Sequence, residues 1–162
     1  MRLVTFLPAM LSALVAFWSA QYLPSVAAGA IPEWSRMWID GLGIELAFRL
    51  VGLSLTFALM VSGIGAIIFL YTSAYFAGHE KLTRLLTLLG LFASSMLGLV
   101  TADDAITLFV FWEGTTITSF LLVGFDHEKK KARDAALQAL IVTGLGGLAL
   151  LAGLKLIGFE AG

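Results

Sequence analysis

The sequence predicts an all-α fold, a polytopic bundle of about five transmembrane helices. Of its 162 residues, 59% are hydrophobic and 13% are charged, and the mean hydropathy is +0.95. Ordinary soluble domains carry about 25% charged residues. Several apolar runs approach the roughly 20 residues that a helix needs to cross a bilayer. The absence of cysteine excludes disulfides, thiolate metal sites, iron–sulfur ligation and a cysteine nucleophile within this sequence.

We predict one transmembrane domain over residues 1–162, with five spans. They cover residues 3–23, 46–76, 82–100, 104–124 and 135–158. The start of the first run is similar to a signal peptide, since Arg2 precedes an apolar stretch. Trp18 and Tyr22 at its far end suit the interfacial belt of a retained span, which is the interpretation we favour.

Residues 24–45 form a connector between the first two spans. Two prolines, three glycines and charges of both signs argue against a span here. Trp34, Met37 and Trp38 predict either a short amphipathic segment at the membrane surface or a plain loop with interfacial aromatic residues.

Small residues recur at every fourth position in three of the spans, and this spacing predicts close helix packing. The three stripes are Ser54, Ala58, Ser62 and Ala66, then Gly90, Ser94 and Gly98, then Ala139, Thr143 and Gly147. Asp103 and Asp104 precede the fourth span. We expect them to cap its helix, because acids suit a helix N-terminus, and a role in cation entry is the alternative.

The fourth span contains one acid, Glu113, near its middle. A helix over residues 104–124 is about 30 Å long, and Glu113 would lie about 14 Å along it, near the bilayer midplane. A carboxylate there costs about 3 kcal/mol, because apolar surroundings disfavour the charged form. Such an acid is typical of a proton or ion path. The alternative is a neutral carboxyl that hydrogen-bonds a neighbouring helix and fixes the packing.

Helical spacing places mostly apolar residues on the face of Glu113, so we expect another helix to supply the next polar group. The residues of this face are Phe109, Thr116, Ile117 and Phe120. Lys155, near the end of the fifth span, is expected to snorkel to the interface, with a role in the ion path as the alternative.

The distribution of basic residues predicts the orientation of the chain in the membrane. With five spans, seven basic residues fall on one side and three on the other, so the first side is expected to be cytoplasmic, together with the N-terminus. The first side holds Arg2, Lys81, Arg84, Lys129, Lys130, Lys131 and Arg133, and the second holds Arg36, Arg49 and Lys155. The net charge is −1, and nothing in this pattern suggests binding of nucleic acid.

The segment from Phe48 to Gly153 resembles a known family of membrane proteins. These are the large A-type subunit of the multisubunit Mrp sodium/proton antiporter and its relative, chain 5 of respiratory NADH–quinone oxidoreductase. Four pieces carry the resemblance in order and spacing: FRLVGLSLTFALMVSGIGAIIFLYTSAYF, MLGLVTADDAITLFVFWEGTTITSFLLVGF, KKKARDAALQALI and VTGLGGLALLAG. The SGIG and FWE sequences resemble the Mrp branch more than the respiratory branch.

The resemblance implies that Glu113 occupies the position of the proton-carrying glutamate of this family. In the family, that glutamate pairs with a lysine on a later helix, and proton motion is coupled to sodium export or to quinone reduction. A nearby ammonium stabilises a carboxylate, so moving it can load and unload a proton. Val51 departs from the family, which usually has an acid there. The lysine-bearing helix does not occur before Gly162, and Lys155 does not match its position.

We therefore expect a subunit of a cation (Na⁺)/proton antiporter in the cell (inner) membrane, with Glu113 as proton carrier and no cofactor or bound metal. Other membrane subunits, including one that supplies the lysine-bearing helices, are the expected partners. The alternatives are a proton-translocating subunit of a redox-driven complex and a scaffold subunit without transport. A stand-alone enzyme is not expected, because the sequence offers no nucleophile–base set or cofactor loop.

Overall fold

The computed structural model of the protein describes residues 4–42 and 44–161, and the side chains of residues 5–41 and 44–156. Arg2 lies outside the described residues. The helices and strands are α1 (Leu7–Ala20), α2 (Leu23–Ala27), β1 (Glu33–Ile39), β2 (Ile44–Arg49), α3 (Gly52–Tyr75), α4 (Leu82–Thr101), α5 (Ala105–Val123) and α6 (Lys130–Ala161).

Five helical segments of the described chain are long and apolar enough to cross a membrane. They are Leu7–Ala27, Gly52–Tyr75, Leu82–Thr101, Ala105–Val123 and Lys130–Leu156. Consecutive spanning helices pack side by side, α1 on α3, α3 on α4, α4 on α5 and α5 on α6. This confirms the predicted fold class, a polytopic bundle of five helical spans. The single-domain prediction for residues 1–162 stays a prediction.

The contact between α1 and α3 uses the first stripe of small residues. Ser54, Ala58 and Ser62 are buried on α3. The Ser12 hydroxyl of α1 donates a hydrogen bond to the Ser62 carbonyl oxygen, 2.8 Å away. A Cβ on Gly65 would come within 3.0 Å of the Ser12 oxygen. The Ser62 level of the stripe therefore packs closely on α1, as its spacing predicted, whereas the Ser54 hydroxyl bonds to Arg49 and Val51 at the start of α3.

The contact between α4 and α5 uses only one end of the second stripe. A Cβ on Gly98 would overlap the ring of Phe111, so the glycine forms a notch that receives this ring. Ser94 is exposed, and a Cβ on Gly90 would meet nothing within 4 Å. The prediction of a continuous packing stripe was therefore wrong for the first two positions, because those positions do not face α5 or any other described helix closely.

The connector contains an antiparallel β-hairpin in place of the predicted amphipathic segment or plain loop. Strands β1 and β2 pair from Glu33↔Arg49 to Ile39↔Ile44. The backbone N–H of Leu50 donates to the Pro32 carbonyl oxygen and closes the base of the hairpin.

The second span is consequently shorter than predicted, since α3 begins at Gly52 and not at residue 46. Residues 46–49 belong to β2, whose side chains alternate between the two faces of the hairpin. Phe48 packs against Phe111 of α5, with 5.7 Å between the ring centroids. This contact and the backbone pairing with β1 together stabilise a strand where hydropathy alone predicts a helix.

Asp104 joins the hairpin to the start of α5. Its carboxylate accepts hydrogen bonds from the backbone N–H of Ile106 and Thr107 at 2.8 and 2.9 Å, from the Thr107 hydroxyl, and from the backbone N–H of Ala47 at 3.2 Å. This confirms that Asp104 caps the helix. Burial raises the pKa of Asp104, but the hydrogen bonds from Thr107, Ile106 and Ala47 outweigh burial and lower it.

Asp103 has a different role from the one predicted, since it forms an ion pair and does not cap α5. Its carboxylate lies 2.9 Å from Nε of Arg49, which also lies 3.0 Å from a carboxylate oxygen of Glu33. The three side chains connect both strands of the hairpin to the turn between α4 and α5. Because they are partly exposed, their attraction is screened, and we assign most of the local stability to the hydrogen bonds of Asp104.

Replacing Asp104 with alanine should lower the free energy of unfolding by about 1–2 kcal/mol, because the first turn of α5 loses its cap and Ala47 loses an acceptor. Because the pKa of Asp104 is lowered in the folded state, its stabilising effect should be complete at neutral pH. The effect should decline as the pH falls below about 4, the pKa of an unfolded aspartate, and should be lost once the pH passes the lower pKa of the folded state. Thermal unfolding at pH 7 and pH 3 measures both effects.

Asp40→Ala is the matched control, since Asp40 lies in the turn between the strands and is exposed. A loss of stability that is equal for the two variants would contradict the capping role of Asp104.

The two ends of the bundle carry different sets of basic residues. Lys81, before α4, pairs with Glu128 at 3.2 Å, and Arg84 lies 5.4 Å from the ring centroid of Phe125. The turns that follow α3 and α5 therefore meet at one end. The hairpin, with Arg49, contacts the turn between α4 and α5 at the opposite end. Successive turns thus lie at opposite ends of the bundle, as the predicted orientation requires. Which end faces the cytoplasm stays a prediction.

Candidate functional site

Helix α5 places Glu113 at its midpoint. The helix runs from Ala105 to Val123 and has 19 residues, of which Glu113 is the ninth. At 1.5 Å per residue such a helix is about 28 Å long, close to the thickness of the hydrocarbon core of a bilayer. The capped start at Asp104 and the end at Gly124 therefore put this acid deep within the span.

Two polar atoms of α5 are buried without a hydrogen-bond partner among the described residues. They are Oε1 of Glu113 and Nε1 of the preceding residue, Trp112. An unsatisfied buried donor or acceptor costs about 1–3 kcal/mol each. Buried polar groups of native proteins are otherwise nearly always paired, so each of these two atoms calls for a specific explanation, such as a functional role, a bound water or ion, or a partner outside the described residues.

Both atoms lie against Gly147 of α6. A Cβ on Gly147 would overlap Oε1 of Glu113 and would lie 3.2 Å from Nε1 and from Cδ1 of Trp112. Only a residue without a side chain fits at this position while Glu113 keeps its place. Of the third stripe of small residues, only Gly147 therefore lies against the acid, because Thr143 is exposed and Ala139 is half-buried.

The helices α5 and α6 also approach closely at the end of α5. A Cβ on Gly124 would lie 3.2 Å from the Ala136 Cβ, and Ala136 is among the most buried side chains of the described part of the chain. Two glycines, one on each side of this contact, thus set the spacing between α5 and α6.

The predicted face of Glu113 is only partly packed. Thr116 is buried, but its hydroxyl donates to the Trp112 carbonyl oxygen at 3.2 Å and does not reach the carboxyl of Glu113. Ile117 is exposed over 52% of its surface. Phe109 and Phe120 are half-buried. None of these residues supplies a polar partner for Glu113 among the described residues, and the prediction that another helix supplies one stays a prediction.

No basic residue of the described chain forms an ion pair with Glu113. Lys155 has an exposed side chain and lies eight residues after Gly147 on α6, which is about 12 Å along the helix axis. Because α6 continues to Ala161, Lys155 is farther from the helix end than predicted. Within the described residues, no group of three or more His, Asp or Glu side chains could hold a metal ion.

Sequence reasoning identified Glu113 but assigned no role to Trp112 and only a packing role to Gly147. The indole N–H next to a buried acid, in the middle of a span, is the signal that could have marked Trp112. For Gly147 the spacing could show a small face, but not which side chain that face receives.

Two family profiles match the sequence. One is described as NADH:quinone oxidoreductase/Mrp antiporter, TM, and covers residues 102–162. The other is described as NADH-ubiquinone oxidoreductase (complex I), chain 5 N-terminus, and covers residues 34–85.

Antiporter subunits from two bacteria are similar to most of this chain. A probable K(+)/H(+) antiporter protein of Rhizobium meliloti, named as its A/B subunit, is 40% identical over 140 residues, which are 86% of this chain and 14% of the relative. The A subunit of a Na(+)/H(+) antiporter of Alkalihalophilus pseudofirmus is 36% identical over 138 residues, which are 85% of this chain and 17% of the relative. The chain thus spans about one-sixth of the length of these relatives.

Two solved membrane complexes contain chains with a similar fold. A chain of the Mrp complex from Dietzia sp. DQ12-45-1b superposes with a TM-score of 0.68 and 36% identity, over 93% of this chain and 18% of that chain. A chain of the membrane-bound sulfane sulfur reductase, an archaeal respiratory membrane complex, shares the fold at a TM-score of 0.73 and 23% identity, over 94% of this chain and 23% of that chain. With two profiles, relatives near 40% identity and the Mrp structure in agreement, this multi-pass membrane chain belongs to the NADH:quinone oxidoreductase/Mrp antiporter family, on its Mrp branch.

Proposed function

We propose that this chain forms part of a membrane subunit of a multisubunit monovalent cation/proton antiporter, in which Glu113 takes up and releases a proton. The observation that carries the proposal is the buried Oε1 of Glu113, which has no hydrogen-bond partner among the described residues, at the midpoint of a membrane-spanning helix. A structural acid would be expected to use that oxygen in a hydrogen bond to a neighbouring helix, and no helix of the described residues receives or supplies one here.

The proposal requires a basic group that approaches Glu113 in one state and withdraws in another. Its ammonium or guanidinium would stabilise the charged carboxylate, and its withdrawal would favour the protonated form. Because the described residues place no cation beside Glu113, we propose that a lysine-bearing helix outside them supplies it, within a complex that contains other membrane subunits.

The exchanged cation is proposed to be Na⁺, as in the relative from Alkalihalophilus pseudofirmus, whereas the relative from Rhizobium meliloti is named for K⁺. The test is proton movement in inverted membrane vesicles that contain the assembled complex. After a proton gradient is formed, addition of Na⁺ or of K⁺ should discharge it, and Glu113→Gln should remove this response. Proton movement that follows an electron donor and needs no cation would favour a redox-driven complex. An assembled Glu113→Gln complex with unchanged response would identify a scaffold subunit.

We also propose a cytoplasmic N-terminus in the cell (inner) membrane, supported by the seven-to-three division of basic residues. The lack of cysteine in the sequence allows a direct measurement. Cysteine introduced at Met37, exposed on the hairpin, should react with a membrane-impermeant maleimide in intact cells. Cysteine at Lys130, exposed at the start of α6, should react only after the membrane is opened. The reverse pattern would invert the orientation.

A further inference from the structure

We propose that the two carboxyl oxygens of Glu113 have different roles. Oε1 is held between α5 and α6, where the indole N–H of Trp112 donates a hydrogen bond to it once the carboxyl is charged. Oε2 is the oxygen that takes up and releases the proton. These roles deepen the proposed function and rest on it, and they make Trp112 a positioning residue for Glu113.

The donor and the acceptor of the proposed hydrogen bond meet at one point of α6. Nε1 of Trp112 and Oε1 of Glu113 each lie within 3.2 Å of the position that a Cβ on Gly147 would take. Side chains of consecutive helical residues do not normally face each other, so this convergence is unusual. A Cβ on Gly144 or on Gly146 would meet nothing within 4 Å, so the close approach is specific to position 147 among these three glycines of α6.

The two atoms are chemically complementary. Nε1 is a donor without an acceptor, Oε1 is an acceptor without a donor, and both are buried among the described residues. A partner from outside would first have to displace the residues that cover them. Each atom thus has a complementary and unused atom close to it, and a hydrogen bond between them would satisfy both.

The charge of Glu113 determines the strength of this bond. In the structure the two atoms are close but not hydrogen-bonded. A hydrogen bond to a charged carboxylate is about twice as strong as one between neutral groups, so loss of the proton favours the bond far more than the neutral carboxyl does. Because both atoms already lie against Gly147, only the side-chain torsions of Trp112 and Glu113 have to change.

The carboxyl oxygens of Glu113 differ in their surroundings. Oε1 is buried against Gly147. Oε2 has no hydrogen-bond partner within the described chain either, but it is not fully buried, and Glu113 as a whole is half-buried. Oε2 is therefore the oxygen that groups outside the described helices can reach.

This difference defines where the proton binds. With Oε1 engaged by the indole N–H, a proton from water or from an ammonium group outside the described residues reaches the carboxylate at Oε2. An O–H bond forms there, the charge is neutralised, and the hydrogen bond to Trp112 weakens. On release the O–H bond breaks and the proton passes to water or to an amine. Trp112 keeps its own N–H throughout.

Infrared difference spectroscopy on the assembled complex, between the proton-loaded and proton-released states, tests this assignment. With tryptophan labelled by ¹⁵N in the indole ring, we expect an N–H stretching band that moves to lower wavenumber in the released state, where its hydrogen bond is strong. Trp112→Phe should remove this band. Glu113→Gln should abolish its shift, because no charge appears. Trp38→Phe, in the exposed strand β1, should leave the band and its shift unchanged.

Transport measurements on the same variants give a second readout. Trp112→Phe should slow cation-driven proton movement about tenfold, the loss expected for one hydrogen bond, in a complex that still assembles. Gly147→Ala, whose methyl group would displace Oε1, should also abolish the shift of the N–H band, whereas Gly146→Ala should keep it.

An indole N–H band that is the same in both states of the wild type would overturn the roles proposed for Trp112 and for the two oxygens, even if Trp112→Phe slowed transport. A shift that persists in Trp112→Phe would also overturn them. If Glu113→Gln still abolished transport in either case, the proposed function would stand without them. Unchanged transport in Glu113→Gln would instead overturn the proposed function.

Discussion

Glu113→Gln should reduce cation-driven proton movement by about 100-fold or more, the loss that typically follows removal of an acid–base group. Glutamine has nearly the same shape and keeps hydrogen-bonding capacity, but it cannot take up or release a proton. Its amide would fit beside Gly147 as the carboxyl does, so we expect the complex to form normally. The rate is measured in inverted vesicles as cation-induced discharge of a proton gradient, at equal amounts of complex.

Two variants limit the interpretation of that result. Glu80→Gln changes an exposed acid in the turn between α3 and α4 and should leave the rate unchanged. Glu113→Asp keeps a titratable group but withdraws it from Gly147 by one methylene, and it should retain a fraction of the activity. A rate near that of the wild type in the Glu113→Gln complex would rule out a proton-carrying role for this residue.

Gly98→Ala should destabilise the contact between α4 and α5 by about 1–3 kcal/mol, the usual cost of forcing a methyl group into a packed site. The new Cβ would overlap the ring of Phe111, which also packs against Phe48 of the hairpin. The ring cannot withdraw without giving up this second contact. Resistance of the assembled complex to heating in detergent, followed by native gel electrophoresis, measures the effect.

The matched control for this prediction is Gly90→Ala, about two turns earlier in α4, where a Cβ would meet nothing within 4 Å. A double variant, Gly98→Ala with Phe111→Leu, should recover part of the loss, because the smaller side chain frees the notch. Equal heat sensitivity of Gly98→Ala and Gly90→Ala would show that the notch does not determine the stability of this contact.

The spanning helices and the central acid were accessible from the sequence, because both depend on local chemistry. Length and hydropathy predict a span whichever neighbours it has, and the helix rise places Glu113 at the middle once the ends of the span are known. The cap at Asp104 was predictable for the same reason, since its main partners, Ile106 and Thr107, follow it closely in the chain.

The hairpin was missed although the sequence contains a signal for it. Ile44, Leu46 and Phe48 occupy every second position, and the positions between and after them hold Glu45, Ala47 and Arg49, so the period of a strand is present and is interrupted only by the small Ala47. The apolar members of this alternation merge with the start of the next span, so hydropathy assigned them to that helix. The deciding contacts, with β1 and with Phe111, are distant in sequence, and periodicity does not report them.

The position of Gly147 beside Glu113 illustrates the same limit. Four-residue spacing grouped Gly147 with Ala139 and Thr143 on one face of α6, but only Gly147 is buried there and Thr143 is exposed. Such a face fits any neighbouring helix. Which helix it meets, and at which level, follows from the packing of α5 against α6. Helical spacing could not predict that Trp112 also contacts Gly147. Trp112 and Glu113 are adjacent in the sequence, and adjacent residues normally lie on different faces of a helix.

The attachment of α5 restricts how the protein can move. Asp104 ties the start of the helix to β2, the Phe111 ring is seated in α4 at Gly98, and Gly124 abuts Ala136 near the far end. Sliding of α5 along its axis would break all three restraints at once. We therefore expect α5 to keep its position in the bundle. A change in the charge of Glu113 must then be accommodated by rotation of the Glu113 side chain or by movement of elements that do not contact α5.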